Sequence, residues 1–174
     1  DGVSTWLEKA DFQNGHTLDG QGRVVAASHG KRGIVRQEPN GEWHTLVDTY
    51  QGKRLNSPND VVADKSGALW FSDPTFGVLS KSEGYGGKPE QGGEFIQPGI
   101  PDGIKVDALG NLWSSSKEGI QVFSAAGKPL GKLLVSAADT SNLTFCSSEQ
   151  TSWAYITAAN KVLRVQVMKS VAGQ

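Results

Sequence analysis

Four amide or carboxylate side chains recur along the chain: Asn14, Asn59, Asp102 and Asn142, spaced 45, 43 and 40 residues apart. Oxygen donors gathered from such positions suit a hard divalent cation. Calcium takes about 6 to 8 oxygen ligands, water among them. One cysteine, Cys146, and three scattered histidines supply no thiolate–imidazole zinc set and no iron–sulfur site. Taken singly, Asn-Gly, Asn-Asp and Asp-Gly are ordinary turn dipeptides, and each head alone reads as a loop cap. Recurrence in register shifts the balance for Asn59 and Asp102, because a repeat brings equivalent positions into one space. For Asn14 and Asn142 the two readings stay even.

Each head opens a similar segment: 14-NGHTLDGQGRVV-25, 59-NDVVADKSGALW-70, 102-DGIKVDALGNLW-113 and 142-NLTFCSSEQTSW-153. Asp19, Asp64, Asp107 and Ser147 fall five residues after the heads, and Val25, Trp70, Trp113 and Trp153 fall eleven after. An apolar strand, a D-x-x-G turn and an aromatic strand at this period are the signature of β-propeller blades. Asp bonds back to the backbone of such a turn, and Gly supplies a positive φ without steric cost. Asp19, Asp64 and Asp107 are therefore turn residues at the far end of each strand. The three tryptophans are packing residues between blades.

Third strands are expected at 33–38, 119–124 and 161–167, and fourth strands at 43–48 and 130–135. The segment 4-STWLE-8 is expected to complete the last blade, which otherwise ends near Val167. The fold class is thus all-β, a single propeller domain over 1–174 with about four blades' worth of chain. One blade is short: 26 residues separate Gly33 from Asn59, but 9 separate Gly93 from Asp102. Open edges on incomplete blades would allow self-association with a second copy.

Innermost strands of a propeller line a central channel, so the four heads converge at one face. The loops between second and third strands emerge there too. His29, in 28-SHGKR-32, is a candidate substrate contact or proton shuttle, against the simpler reading of a solvated loop histidine. Tyr85, with Lys88 and Glu90, lies in the long Gly-rich segment 77–93, which reads equally as a lid or a loose connection. No G-x-S-x-G elbow, phosphate-binding loop or Rossmann fingerprint occurs.

A net charge of −1 gives no pull toward nucleic acid. No apolar run reaches the roughly 18 residues that span a bilayer, and 1-DGVSTWLEKADF-12 lacks the layout of a signal peptide. A soluble chain, cytoplasmic or periplasmic, is expected.

The stretches 54-RLNSPNDVVADKSGALWFSDPTFG-77, 84-GYGGKPE-90 and 99-GIPDGIKVDALGNLW-113 resemble the gluconolactonase/senescence-marker-protein (regucalcin-like) family, and 13-QNGHTLDGQGRVVAASHG-30 resembles its bacterial branch. The resemblance implies a six-bladed propeller that hydrolyses sugar lactones with an axial divalent metal, calcium first, zinc or magnesium as alternates. The family's metal-binding and acid/base Asp falls on Asp102. The Asn of its N-D motif, which contacts substrate and water, falls on Asn59, counted here as a second metal ligand. Asn14, His29 and Tyr85 are further substrate-contact candidates. The family's early E-G-P-x-W stretch, with its metal-binding Glu, has no match, and neither does its P-N-G blade with a metal-binding Asn. Ser57 stands where the family often has Arg. An N-terminal and an internal segment are thus expected to be missing, the latter between Ile96 and Gln97. The alternative to a lactonase is a non-catalytic propeller binding module, or an inactive truncated lactonase.

Overall fold

Alternating apolar and polar residues, bounded by Gly, Asp and Asn turns, specify short strands with one buried face. The structure, a computed structural model, describes residues 2–79 and 100–172. Strands β1 (Gln13–Leu18), β2 (Val24–Ser28), β3 (Gly33–Gln37) and β4 (Trp43–Val47) form the first antiparallel meander, in chain order. A small hairpin follows, β5 (Thr49–Tyr50) and β6 (Lys53–Arg54). The second blade has two strands among the described residues, β7 (Val61–Ala63) and β8 (Leu69–Phe71), then a turn of helix, α1 (Phe76–Leu79). The third is a complete meander of β9 (Ile104–Val106), β10 (Leu112–Ser116), β11 (Gly119–Phe123) and β12 (Pro129–Leu134). The fourth has, among the described residues, three strands, β13 (Thr140–Ser147), β14 (Ser152–Ala158) and β15 (Lys161–Val167), followed by α2 (Lys169–Ala172).

The sheets stack face on face, each junction with its own apolar filling. Val25, Ala27, Ile34 and Val61 join the first blade to the second. Ile104, Leu112 and Phe123, with Val62 and Trp70, join the second to the third. Ile120, Leu143 and Ile156, with Trp113 and Phe145, join the third to the fourth. Each Val, Leu, Ile or Phe among them contributes roughly 1.5–3 kcal/mol when fully buried. Radial meanders with inner strands side by side make this an all-β, β-propeller architecture.

Two expectations change. Residues 4–8 form no strand and complete no blade. Trp6 instead packs edge-on against Trp43 of β4, ring centroids 6.0 Å apart, which holds the segment on the first blade. The fourth repeat is also out of step with the other three. Its turn closes from Ser148 N–H to Thr151 O, whereas the second closes from Asp64 N–H to Ala68 O, one residue longer. A register irregularity in β13 between Thr140 and Asn142 then moves the strand's other end.

Candidate functional site

The inner strands meet at their starting ends through hydrogen bonds that cross from blade to blade. The Gly15 N–H donates to Asn59 O (2.8 Å), and the Gly103 N–H donates to Ser141 O (2.6 Å). Glycine is required at both places. A Cβ on Gly15 would collide with the Asp60 carboxylate and backbone, and one on Gly103 with the Asn142 side chain. Asn142 therefore occupies the position of Asp60, not that of Asn59. Each uses Oδ1 to accept the N–H of the next residue, Val61 (2.9 Å) or Leu143 (2.8 Å).

Asn59 and Asp102 arrive as neighbours at this hub. The Asn59 N–H donates to Ser72 O (3.0 Å), and the Ser72 hydroxyl donates to Asp102 O (2.8 Å). On its other side the Asp102 N–H donates to the Ser115 hydroxyl (3.0 Å). Both backbones are fixed. Among the described residues neither the Asn59 amide group nor the Asp102 carboxylate has a side-chain hydrogen-bond partner. Burial first, and then the negative charge of Asp60, raise the Asp102 carboxyl above its ordinary value.

Asp60 is the residue that sequence reasoning missed. It is 8% exposed, and its Oδ2 accepts the Ile104 N–H of the next blade (2.9 Å), with Lys105 Nζ at 3.6 Å. The signal was present in 59-NDVV-62, where Asp60 directly follows the candidate Asn. Ser72, just past β8, and Ser115, on β10, are both buried and carried no comparable signal.

The remaining candidates disperse. Asn14 is exposed, one residue before the Gly15 crossing bond. His29 is 5% exposed, which departs from a solvated loop histidine. Residues 11–12 fold over its turn, where Phe12 O accepts the His29 N–H (3.2 Å) and Asp11 O accepts the Gly30 N–H (2.9 Å). Tyr85, Lys88 and Glu90 lie outside the described residues. Asp19, Asp64 and Asp107 sit at the far ends of the strands as turn acceptors.

The donor chemistry fits a hard cation at two positions, Asp102 and Asn59. A cation there would offset the repulsion between Asp60 and Asp102. Among the described residues no group of three or more His, Cys, Asp or Glu forms a fuller ligand set. No helix among them is long and apolar enough to cross a membrane.

Comparison with known proteins agrees with this architecture. A gluconolactonase from Zymomonas mobilis subsp. mobilis is 25% identical over 88% of this chain and 62% of its own length. That alignment runs over 224 positions, more than the 174 residues here, so the relative has interior segments without a counterpart. A solved structure described as a candidate gluconolactonase is 31% identical, with a TM-score of 0.54 over 94% of this chain and 77% of that one. A second, a gluconolactonase from Xanthomonas campestris, is 26% identical with a TM-score of 0.53, over 91% and 73%. Residues 2–88 match the profile of the SMP-30/Gluconolactonase/LRE-like region. With blade heads converging on Asn59 and Asp102, and with these likenesses in sequence and fold, the chain belongs to the SMP-30/gluconolactonase/LRE-like family.

Proposed function

We propose that the chain is a lactonase that opens sugar lactones with water at the hub around Asp102. The observation that carries this reading is the pairing of two pinned backbones with two uncommitted side chains, Asn59 and Asp102, in a member of this family. Asp102 is the base. As water adds to the lactone carbonyl carbon, ionised Asp102 accepts one of its protons. The tetrahedral adduct collapses with cleavage of the ring C–O bond, and Asp102 returns the proton to the departing ring oxygen. An open-chain hydroxy acid results. Burial and the adjacent Asp60 charge strengthen the hold of Asp102 on that proton during the exchange. Asn59 orients the water or the lactone by hydrogen bonding. Asp102 and Asn59 would also hold a divalent cation, calcium first and zinc or magnesium next. When bound, it supplies Lewis-acid polarisation of the lactone carbonyl.

The test is acid release from an aldonolactone in a pH-stat, with calcium and with a chelator. Turnover above the spontaneous rate is expected, falling about 10²-fold or more in Asp102→Ala with the circular dichroism unchanged. Calcium binding without turnover would instead identify a binding module. Equal rates for wild type and Asp102→Ala would overturn the assignment.

A further inference from the structure

Asp102 is placed by two serines that face it from different blades. Ser115, on β10, accepts the Asp102 N–H through its hydroxyl (3.0 Å), while its own N–H donates to Gly103 O (3.1 Å). That staple lies within the third blade. Ser72, at the end of β8 in the second blade, does something different. Its N–H donates to Asp60 O (3.0 Å) and its carbonyl accepts the Asn59 N–H (3.0 Å). Its hydroxyl accepts the Asp60 N–H (3.1 Å) and donates to Asp102 O (2.8 Å). The direction is fixed, because a peptide N–H can only donate and a peptide carbonyl only accept. Ser72 is 3% exposed, so water cannot readily replace it.

We propose that Ser72 is the positioning residue for Asp102: one hydroxyl, bonded to the Asn59–Asp60 strand head and to the Asp102 carbonyl, sets the gap between the two working side chains. The proposal rests on the lactonase reading for its kinetic consequence, but its geometric content stands apart. Within one meander, β-ladder bonds fix the register. Between blades the packing is largely apolar and non-directional, so the few crossing polar bonds decide how closely adjacent heads approach. Asp60 Oδ2 to Ile104 N–H is one such bond between the second and third blades, and Ser72 to Asp102 O is another, the one that reaches the Asp102 backbone directly. Without the hydroxyl, the Asp102 carbonyl and the Asp60 N–H both lose their partner. A shift of about 1 Å at a reacting group can lower turnover about 10²-fold.

The experiment compares Ser72→Ala, Ser72→Thr and Ser152→Ala in the full chain. Ser152 is a buried serine of β14 away from the hub, its hydroxyl bonded to that of Ser147 (3.0 Å). Ser72→Ala is expected to lower kcat about tenfold or more while KM changes less than about twofold. Ser72→Thr, which keeps the hydroxyl, should recover most of kcat. Ser152→Ala should lower the melting temperature without moving kcat. The independent readout is the backbone 15N and 13C shifts of Asp102 and Gly103, expected to move in Ser72→Ala and to return toward wild type in Ser72→Thr. A wild type without lactone turnover defeats the lactonase reading alone, and the shifts then decide the positioning. Unmoved shifts in a folded Ser72→Ala, or a kcat loss matched by Ser152→Ala, would overturn the proposal.

Discussion

The two ends of each inner strand follow opposite rules. At the far end the second and third repeats are nearly superimposable in chemistry. Asp64 and Asp107 each bond backbone N–H groups through Oδ1 and a tryptophan indole through Oδ2, Trp70 at 3.0 Å and Trp113 at 2.9 Å. The first repeat replaces the indole with Arg23, whose Nε lies 2.8 Å from Asp19 Oδ2. The fourth keeps the tryptophan but offers it the Thr151 hydroxyl (3.2 Å), with Arg164 stacked over the ring. At the hub no two heads are alike: Asn14-Gly15, Asn59-Asp60, Asp102-Gly103 and Ser141-Asn142. Uniformity marks what every blade needs in order to close its turn. Divergence marks where blades are given separate tasks.

The comparison breaks most visibly at Gly15. Gly15→Ala should drive Asp60 and the Asn59 carbonyl away, costing about 3 kcal/mol and, with it, nearly all lactone turnover. Gly20→Ala, at a far turn with open space around it, should leave both untouched. Urea unfolding and pH-stat rates on the pair would show whether crowding is confined to the hub. Next comes Asp107→Ala. It strips acceptors from Leu109, Asn111 and Trp113, so about 2–3 kcal/mol of stability is expected to go while kcat stays at the wild-type value. A fall in kcat there would blur the division between the two ends.

Acid provides a finer probe. The Ser66 hydroxyl first, then the Trp70 indole, hold Asp64 at about 2 against an ordinary 3.8. With its folded value depressed, its stabilisation is complete above the ordinary value and fades as pH falls through about 2. The gap in urea midpoint between wild type and Asp64→Asn should therefore narrow on going from pH 7 toward pH 2. A gap independent of pH would mean that the ionised carboxylate is not what the turn uses. Thr151→Ala, which removes one indole acceptor, should have the smallest effect, about 0.5–1 kcal/mol in the same assay.

Much of the blade structure was legible because strand alternation and turn residues repeat together. Strands β2, β3, β4, β11, β12 and β15 lie where period and turn chemistry place them. The Asp-to-Trp bond was also readable, six residues apart in both 64-DKSGALW-70 and 107-DALGNLW-113, although the spacing by itself pointed only to rings packed between blades. The β5–β6 hairpin had its own sign in 50-YQGK-53, where Gln51 and Gly52 both take positive φ. Other features depend on tertiary partners. Residues 4–8 stand before a first strand, where a fourth strand would close a ring, but the contact between Trp6 and Trp43 decides their place. The register of Asn142 follows from a turn shortened by one residue and an irregular β13, and an ungapped alignment of heads conceals both. Ser72 and Ser115 look like any strand serine until the neighbouring blade is present.

Among the described residues the three apolar junctions share no side chain. Among these residues apolar adhesion is between adjacent sheets, as between tiles laid in a row, and a loosened junction is expected to leave the others intact. A defect in the Val25–Val61 seam would release the first blade while the Ile120–Leu143–Ile156 seam still protected its own amides from exchange with solvent. Asn59 and Asp102 face each other across the middle seam, so their spacing depends first on the Ile104–Leu112–Phe123 filling.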